Sequence, residues 1–290
     1  MKVPLQPEAP ESYLRQQLEA PDPALRLAAL RALPPGALRA ALRGRLADED
    51  PSVQREALRL LRLRGDREAQ ADVAALLGRT RDAQIYVRCA ATLAEWGDER
   101  AAGELRGAAR ARDAAVRALA LSHIAGRDAS VRRQIAQLLG SVPADVAMEV
   151  QRVLAQQGDG EARARLRDAL DSPASPPGLR ADVAEELVRS GDLMARTRLQ
   201  ELLRQDGAAR GSFQRAAAVL GSGEACEALR VVAAHPQTAP GDRAEALRGL
   251  GACGLASDEA LLRSILDRRE SPEALRIAAA GALLALQRAP

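Results

Sequence analysis

Residues 50–78 read DPSVQREALRLLRLRGDREAQADVAALLG and contain one complete unit of a repeat that recurs along the chain. The first half of the stretch carries apolar residues at four-residue spacing: Val53, Ala57 and Leu61. The second half, after Gly65, carries another apolar set: Val73, Leu76 and Leu77. Such spacing places each set on one face of a helix. The stretch therefore predicts two helices, called helix A and helix B here, joined by a turn at Gly65 and Asp66.

The turn glycine recurs at intervals of 29 to 33 residues. The series is Gly65, Gly97, Gly126, Gly158, Gly191, Gly221 and Gly254. Helix B carries a leucine eight positions after the glycine in several units, and we predict that these leucines are buried: Leu105, Leu166 and Leu199. Neither helix can bury its apolar face alone, whereas stacked pairs form one continuous core. The predicted fold is an all-α solenoid, a right-handed superhelix of stacked antiparallel helix pairs.

The repeat covers almost the whole chain. Residues 1–10 are rich in proline and predict a disordered tail. Residues 11–290 predict a single solenoid of about eight helical units. The last unit is incomplete, because a predicted helix A at 272–288 leaves no room for a helix B before Pro290.

A short motif, Asp-x-x-Val-Arg, opens several of the predicted helices. It occurs at 113–117 and 128–132, and at 50–54 with Gln54 in place of the arginine. With the Gly-Asp turn, this motif resembles the HEAT-like repeats of the phycobilisome-lyase type over about residues 21–288. The resemblance implies an α-solenoid. It implies no single function, because repeats of this kind serve scaffolds, lyases and other enzymes alike.

Composition narrows the function classes. The net charge is +3 and the pI about 9.1, a small basic excess for 290 residues. Lys2 is the only lysine and asparagine is absent, whereas arginine and alanine abound. This bias is typical of a GC-rich, bacterial genome. The sequence contains no signal peptide and no apolar stretch long enough to span a membrane, so we predict a cytoplasmic protein.

Residues that carry chemistry are few. The three cysteines are far apart and odd in number, which argues against a disulfide framework and against a zinc site. His123 and His235 have no partner at metal-ligand spacing, and the His-Glu pairs of HEAT-repeat metal hydroxylases are absent. Neither a serine nucleophile elbow nor a phosphate-binding loop occurs. We therefore predict no catalytic residue, no cofactor, no metal and no enzymatic activity.

Helix B suggests where a partner binds, because an arginine follows the buried leucine in several units. With arginines on neighbouring turns, the candidate partner-binding residues are Arg106, Arg163, Arg167, Arg198, Arg230 and Arg263. If the B helices line the concave side, these arginines form a ladder in a groove that suits an acidic protein segment. The competing interpretation is a solvated helix face whose arginines reflect codon usage.

Two other functions stay open. A nucleic-acid-binding solenoid, similar to the HEAT-like DNA glycosylases, needs aromatic residues beside the lesion, and only Trp96 is available. A bilin-lyase-like enzyme subunit follows from the family resemblance alone.

The last predicted helix adds a further expectation. Leu284 and Leu286 lie outside its repeat stripe, so we expect exposed apolar surface there and an end-on contact or self-association.

Overall fold

The computed structural model describes residues 9–34, 36–126, 128–172, 174–175, 177–204 and 223–288. Within these ranges the chain forms seventeen α-helices and no strand, which confirms the predicted all-α, helical-repeat fold class. The repeat stacks into two compact units. The middle unit comprises Leu42–Asp168, and the terminal unit combines Met1–Ala41 with Ala169–Pro290. Residues 1–8 of the predicted tail lie outside the described residues, and Pro10 already belongs to the first helix.

The helix bounds follow the predicted A and B pairs. The helices up to the end of the middle unit are α1 Pro10–Leu18, α2 Pro23–Ala32, α3 Arg39–Gly44, α4 Pro51–Leu63, α5 Gln70–Arg79, α6 Ala83–Glu95, α7 Glu99–Ala108, α8 Ala114–Ile124, α9 Ala129–Leu139, α10 Ala144–Gln156 and α11 Gly160–Asp171. The remaining helices are α12 Pro177–Arg189, α13 Leu193–Arg204, α14 Gly223–Ala234, α15 Pro240–Cys253, α16 Glu259–Leu266 and α17 Glu273–Leu286.

The Gly-Asp turn has the predicted geometry. Positive φ angles occur at Gly65, Gly97, Gly126, Gly158, Gly191 and Gly254, whereas Gly221 lies outside the described residues. In the turn after α6, Gly97 donates its N–H to the carbonyl of Ala94, and Asp98 donates to that of Leu93. This is the Schellman arrangement, which satisfies the last carbonyls of a helix and favours glycine because it has no Cβ. The Asp98 side chain then accepts the N–H of Ala101 at 3.0 Å and caps α7.

An arginine near the start of several helices, which in α8 and α9 belongs to the Asp-x-x-Val-Arg motif, connects that helix to the end of the preceding one. Arg117 donates to the carbonyl of Ala111 at 2.6 Å, and Arg276 donates to that of Leu266 at 3.0 Å. The same contact to a preceding carbonyl is made by Arg26, Arg132, Arg180 and Arg243. Gln54, which replaces the arginine, still donates to the carbonyl of Asp48 at 2.6 Å. The motif thus satisfies carbonyls that a helix end leaves free.

In the middle unit the A helices form the inner layer. Helices α4, α6, α8 and α10 pack on one another in that order, and each B helix packs on the outside of this row. The row curves enough for Arg62 of α4 to donate to Gln156 of α10 at 3.4 Å. The expectation that B helices line the inner side is therefore wrong for this unit. The cause is side-chain size: small residues on the inner row, such as Ala90 and Ala120, allow the A helices to approach closely.

The core is built from the predicted apolar positions. Leu105, Leu166 and Leu199 are buried, as expected from their place eight residues after a turn glycine. The three A-helix residues of the first quoted unit, Val53, Ala57 and Leu61, are also buried. The predicted register of helix A and of helix B is therefore confirmed. A register shifted by one residue would rotate the apolar set by 100° around the helix and turn it away from the core.

The last helix is covered rather than exposed. Helix α17 packs against α15, α16 and both N-terminal helices, α1 and α2. Leu284 is only 3% exposed and Leu286 is half-buried. The expectation of an exposed apolar surface at Leu284 is therefore wrong, because α1 and α2 pack on α17. The prediction of an end-on contact was based on exposure of Leu284, and this basis is removed by the burial of that residue.

The contact between the two ends of the chain is close and partly polar. Tyr13 donates to Glu273, and the guanidinium of Arg276 lies 4.6 Å from the centre of the Tyr13 ring. Gly281 lies directly against the backbone of α2, since a Cβ atom built there would be 2.3 Å from the carbonyl oxygen of Ala32. The absence of a side chain at Gly281 is what permits this approach.

Substitution of Gly281 by alanine is expected to destabilise the protein by about 1–3 kcal/mol, since overpacking against Ala32 exceeds the gain in helix propensity. The free energy of unfolding, measured with urea, checks this. Gly103→Ala is the matched control, because its nearest neighbour is the flexible end of Arg106 at 3.8 Å. That control is expected to stabilise the protein by roughly 0.5–1 kcal/mol. A stabilised Gly281→Ala variant would contradict the packing of α17 on α2.

Two of the three cysteines are paired. Cys226 of α14 and Cys253 of α15 form a disulfide, with their Cα atoms 6.0 Å apart. The argument against disulfides from the odd number of cysteines is therefore wrong, because Cys89 is the unpaired third residue.

None of the helices in the described part of the chain has the length and apolar character that a bilayer crossing requires.

Candidate partner-binding surface

Two of the predicted partner-binding arginines are bound by carboxylates of their own unit. Arg198 donates to Asp171 at 2.5 Å and to Glu201 at 2.9 Å. Arg230 donates to Asp258 and to Glu227. The hydrogen bonds that these carboxylates accept raise the pKa of both guanidinium groups. Because Asp258 is buried, its pairing with Arg230 connects α14 to the start of α16 and has a structural role.

Three more of the predicted arginines have partners within the protein. Arg163 donates to the carbonyl of Ala155 at 3.3 Å, and Arg263 lies 3.8 Å from a carboxylate oxygen of Glu259. Arg167 is half-buried and also has an interaction partner. Each of these five arginines therefore has at least one interaction partner within the protein.

Arg106 differs from the other five. It is exposed near the end of α7, and its side chain makes neither a hydrogen bond nor an ion pair among the described residues. Arg110 and Arg112, in the loop that follows, share both properties, as does Arg81 in the loop before α6. We call Arg81, Arg106, Arg110 and Arg112 the basic rim. Of these four, the repeat register predicted Arg106, whereas Arg81 and Arg112 lie outside that register and were missed.

A shallow groove of about 390 Å³ adjoins the basic rim. Its lining residues come from the starts of α6 and α8 and from the end of α7: Thr80, Arg81, Asp82, Ala83, Tyr86, Glu104, Gly107, Ala108 and Val116. The groove exists because Gly107 and Ala108 leave little side-chain volume at the end of α7. Arg106 and Arg110 flank these two small residues in the chain. The groove and the basic rim therefore form one surface of the middle unit.

One hydrogen bond orders the polar wall of the groove. The hydroxyl of Tyr86 donates to the Glu104 carboxylate at 2.5 Å. This hydrogen bond and burial raise the pKa of Tyr86 to about 12, so the phenol keeps its proton at neutral pH. Asp82 is engaged in capping α6 through the N–H groups of Gln84 and Ile85. The sequence alone did not indicate the contact between Tyr86 and Glu104, because the two residues are 18 positions apart on different helices.

The remaining candidate residues lie in structural positions. Burial raises the pKa of the Cys89 thiol to about 12, which leaves it protonated and unreactive at neutral pH. His123 belongs to the inner layer of the middle unit, and His235 follows α14 in the terminal unit. Trp96 is 9% exposed and caps the end of α6. In the part of the chain that the structure describes, no three side chains of His, Cys, Asp or Glu come together as metal ligands.

Comparison with known proteins gives a coarse likeness only. No protein-family model and no curated protein matches the chain. Human deoxyhypusine hydroxylase, solved in complex with glycerol, is 21% identical with a TM-score of 0.38, and the alignment covers 87% of this chain and 96% of that one. An engineered protein is 20% identical with a TM-score of 0.29, over 97% of this chain and 89% of that one.

One of these likenesses corrects a prediction. Deoxyhypusine hydroxylase is by its name an enzyme, which contradicts the expectation that this chain is not one, and that expectation is withdrawn. The error lay in reading absent motifs as absent activity, although helical-repeat folds carry enzymes too. At this similarity no activity passes to the present chain. The fold that the described residues show is all-α and built of helical repeats.

Proposed function

We propose that this protein is an interaction scaffold whose middle unit binds an acidic segment of a protein partner. The observation that carries the proposal is the basic rim, four exposed arginines with no ion pair among the described residues. Arginine presents a planar fork of donors that matches carboxylates, and it is enriched where proteins bind one another. The basic rim therefore replaces the longer ladder of arginines as the proposed site.

Contrast with the rest of the chain supports this choice. Elsewhere arginines clamp helix ends, as Arg117 does, or bridge neighbouring helices, as Arg230 does. Codon usage explains why arginine is abundant, but it does not explain why three unpaired arginines fall within residues 106–112. The adjoining groove has Val116 and Ala108 among its lining residues and can accept an apolar side chain of the same segment.

Nucleic acid is the less favoured partner. Phosphates also attract arginine, but single-stranded nucleic acid and flipped bases need aromatic surfaces for stacking. Trp96 is packed at the end of α6 and offers no such surface. The glycosylase-like and bilin-lyase-like alternatives keep only the support of the family resemblance. Membership of the phycobilisome-lyase type, a bacterial source and a cytoplasmic location likewise remain proposals.

The proposal is tested by fluorescence anisotropy with a labelled peptide of eight glutamates around one central leucine. Arg106→Glu, Arg110→Glu and Arg112→Glu, combined in one variant, are expected to weaken binding at least about tenfold, since each exposed ion pair contributes roughly 0.2–1 kcal/mol. The matched control is Arg196→Glu, Arg268→Glu and Arg269→Glu, which changes the net charge equally at exposed sites of the terminal unit. We expect it to weaken binding less than threefold.

Two outcomes would overturn the proposal. Equal loss in both variants would show that only net charge matters. Binding of a DNA duplex that is tighter than peptide binding, and that weakens by orders of magnitude between about 50 and 200 mM salt, would assign the surface to nucleic acid.

A further inference from the structure

The inner layer of the middle unit contains a second group of polar side chains, away from the basic rim. It is formed by four A helices, which contribute Arg62 from α4, Arg88 from α6, His123 from α8, and Glu149, Arg152 and Gln156 from α10. On α10, Glu149, Arg152 and Gln156 follow at spacings of three and four, so they share one helix face. We call these six residues the inner cluster.

The cations of the inner cluster are unequally compensated. Arg88 is neutralised by Glu149, whose two carboxylate oxygens accept from its Nε at 2.9 and 3.2 Å. Arg62 has a weaker arrangement, because the nearest carboxylate, Glu95, is 3.8 Å away and half exposed. Its other contact is a 3.4 Å hydrogen bond to the neutral Gln156. The charge on Arg62 is therefore only partly balanced within the protein.

Arg152 is the clearest anomaly in the cluster. Its side chain is half-buried, and its Nε is fully buried with no acceptor. The side chain makes neither an ion pair nor a hydrogen bond among the described residues. Buried arginines are nearly always paired, because an uncompensated charge away from water is costly. Arg152 lies one turn before Gln156 on the same face of α10, and Gln156 is the residue that Arg62 contacts.

A second unsatisfied group lies in the same layer. The Nε2 atom of His123 is buried and has no hydrogen-bond partner. Desolvation by burial, with the charges of Arg62 and Arg88, lowers the pKa of His123 to about 3. Burial is the largest cause of this shift, and the two neighbouring arginines add to it. The inner cluster thus contains two buried nitrogen atoms, Arg152 Nε and His123 Nε2, that have no hydrogen-bond partner among the described residues.

We propose that the inner cluster binds an oxyanion, a carboxylate or a phosphate group, between Arg62 and Arg152 beside Gln156. Two guanidinium groups can hold such a group through bidentate hydrogen bonds, and Gln156 can add one more donor. Glu149 stays paired with Arg88 and closes the site on that side. The inference is independent of the proposed function, since none of the inner-cluster residues belongs to the basic rim.

The test is isothermal titration calorimetry of the full chain with inorganic phosphate, and in a second arm with glutarate, at constant ionic strength set by sodium chloride. The wild-type protein is expected to show saturable one-site binding of at least one of the two anions. Arg152→Gln is expected to weaken that binding at least about tenfold, as loss of a charge-assisted contact implies. Arg152→Lys is expected to recover part of it. Arg67→Gln, at an exposed arginine of the same unit, is the matched control and is expected to bind as the wild type does.

The anion that binds identifies the source of the ligand group. Tighter phosphate binding indicates a phosphorylated ligand, and tighter glutarate binding indicates a carboxylate. The proposal fails if neither anion binds, or if Arg152→Gln and Arg67→Gln weaken binding equally. Circular dichroism of each variant excludes unfolding as the cause of a loss, and the partly restored binding of Arg152→Lys distinguishes a charge contact from a packing effect. Failure here leaves the peptide binding of the basic rim unchanged.

Discussion

Lowering the pH from 7 to 4 is expected to cost the wild-type protein roughly 3 kcal/mol more stability than it costs a His123→Phe variant. The folded protein holds the pKa of His123 at about 3, whereas an unfolded chain has the ordinary value of 6.5. Between pH 6.5 and 3, His123 therefore binds a proton in the unfolded state but not in the folded state. The stability associated with neutral His123 is present above pH 6.5 and declines as the pH falls towards 3.

Burial of the His123 ring contributes most to this effect, and the charged groups around the ring add to it. Arg62 and Arg88 both oppose a further positive charge, and Glu149 is already occupied by Arg88. Protonation of carboxylates at low pH weakens both proteins alike, so the difference between them isolates the histidine. Urea unfolding at pH 7, 6, 5 and 4 measures it. Parallel stability curves for the two proteins would show that His123 is protonated in the folded state and that the inner layer accommodates the charge.

Truncation of Leu166 to alanine is expected to destabilise the protein by about 2–5 kcal/mol. Leu166 is fully buried in α11, where it occupies the B-helix core position eight residues after Gly158. Removal of its side chain leaves a cavity that the rigid helix pair cannot close, so the loss of packing adds to the loss of hydrophobic transfer energy. The free energy of unfolding from urea denaturation gives the value directly.

Leu193→Ala is the matched control for this experiment. Leu193 begins α13 and is 74% exposed, so the same chemical change there is expected to alter stability by less than about 0.5 kcal/mol. Similar effects at Leu166 and Leu193 would mean that the core positions are misassigned. A small effect at Leu166 alone would mean that α11 contributes little to the cooperative unfolding of the middle unit.

The fold was predictable because it depends on short-range patterns. Four-residue spacing sets the apolar face of each helix, and a left-handed glycine ends the helix; both can be read within about 30 residues of sequence. The buried positions of Leu105, Leu166 and Leu199 follow from that register. The same local logic failed at Leu284, since its exposure depended on whether residues almost a whole chain away would cover it.

The candidate site was only partly predictable, for a related reason. The register placed Arg106 and Arg230 at equivalent positions, and nothing in the local sequence showed that a buried Asp258 would engage one of them. Whether an arginine is free depends on which acid the neighbouring repeat supplies. Tyr86 and Glu104 meet through packing of two helices, and the positive inner layer depends on the curvature of the A-helix row. None of these arrangements has a signature in the order of residues along one helix.

The packing of α1 and α2 on α17 has a consequence for how the protein acquires its structure. Repeat proteins usually fold by nearest-neighbour propagation, because each unit needs only the one before it. The hydrogen bond from Tyr13 to Glu273 joins residues 260 positions apart, which gives this end of the molecule a high contact order. During synthesis the first two helices therefore leave the ribosome with their partner still untranslated. Their apolar faces stay uncovered until α17 has been synthesised, which makes completion of the terminal unit a late step in folding.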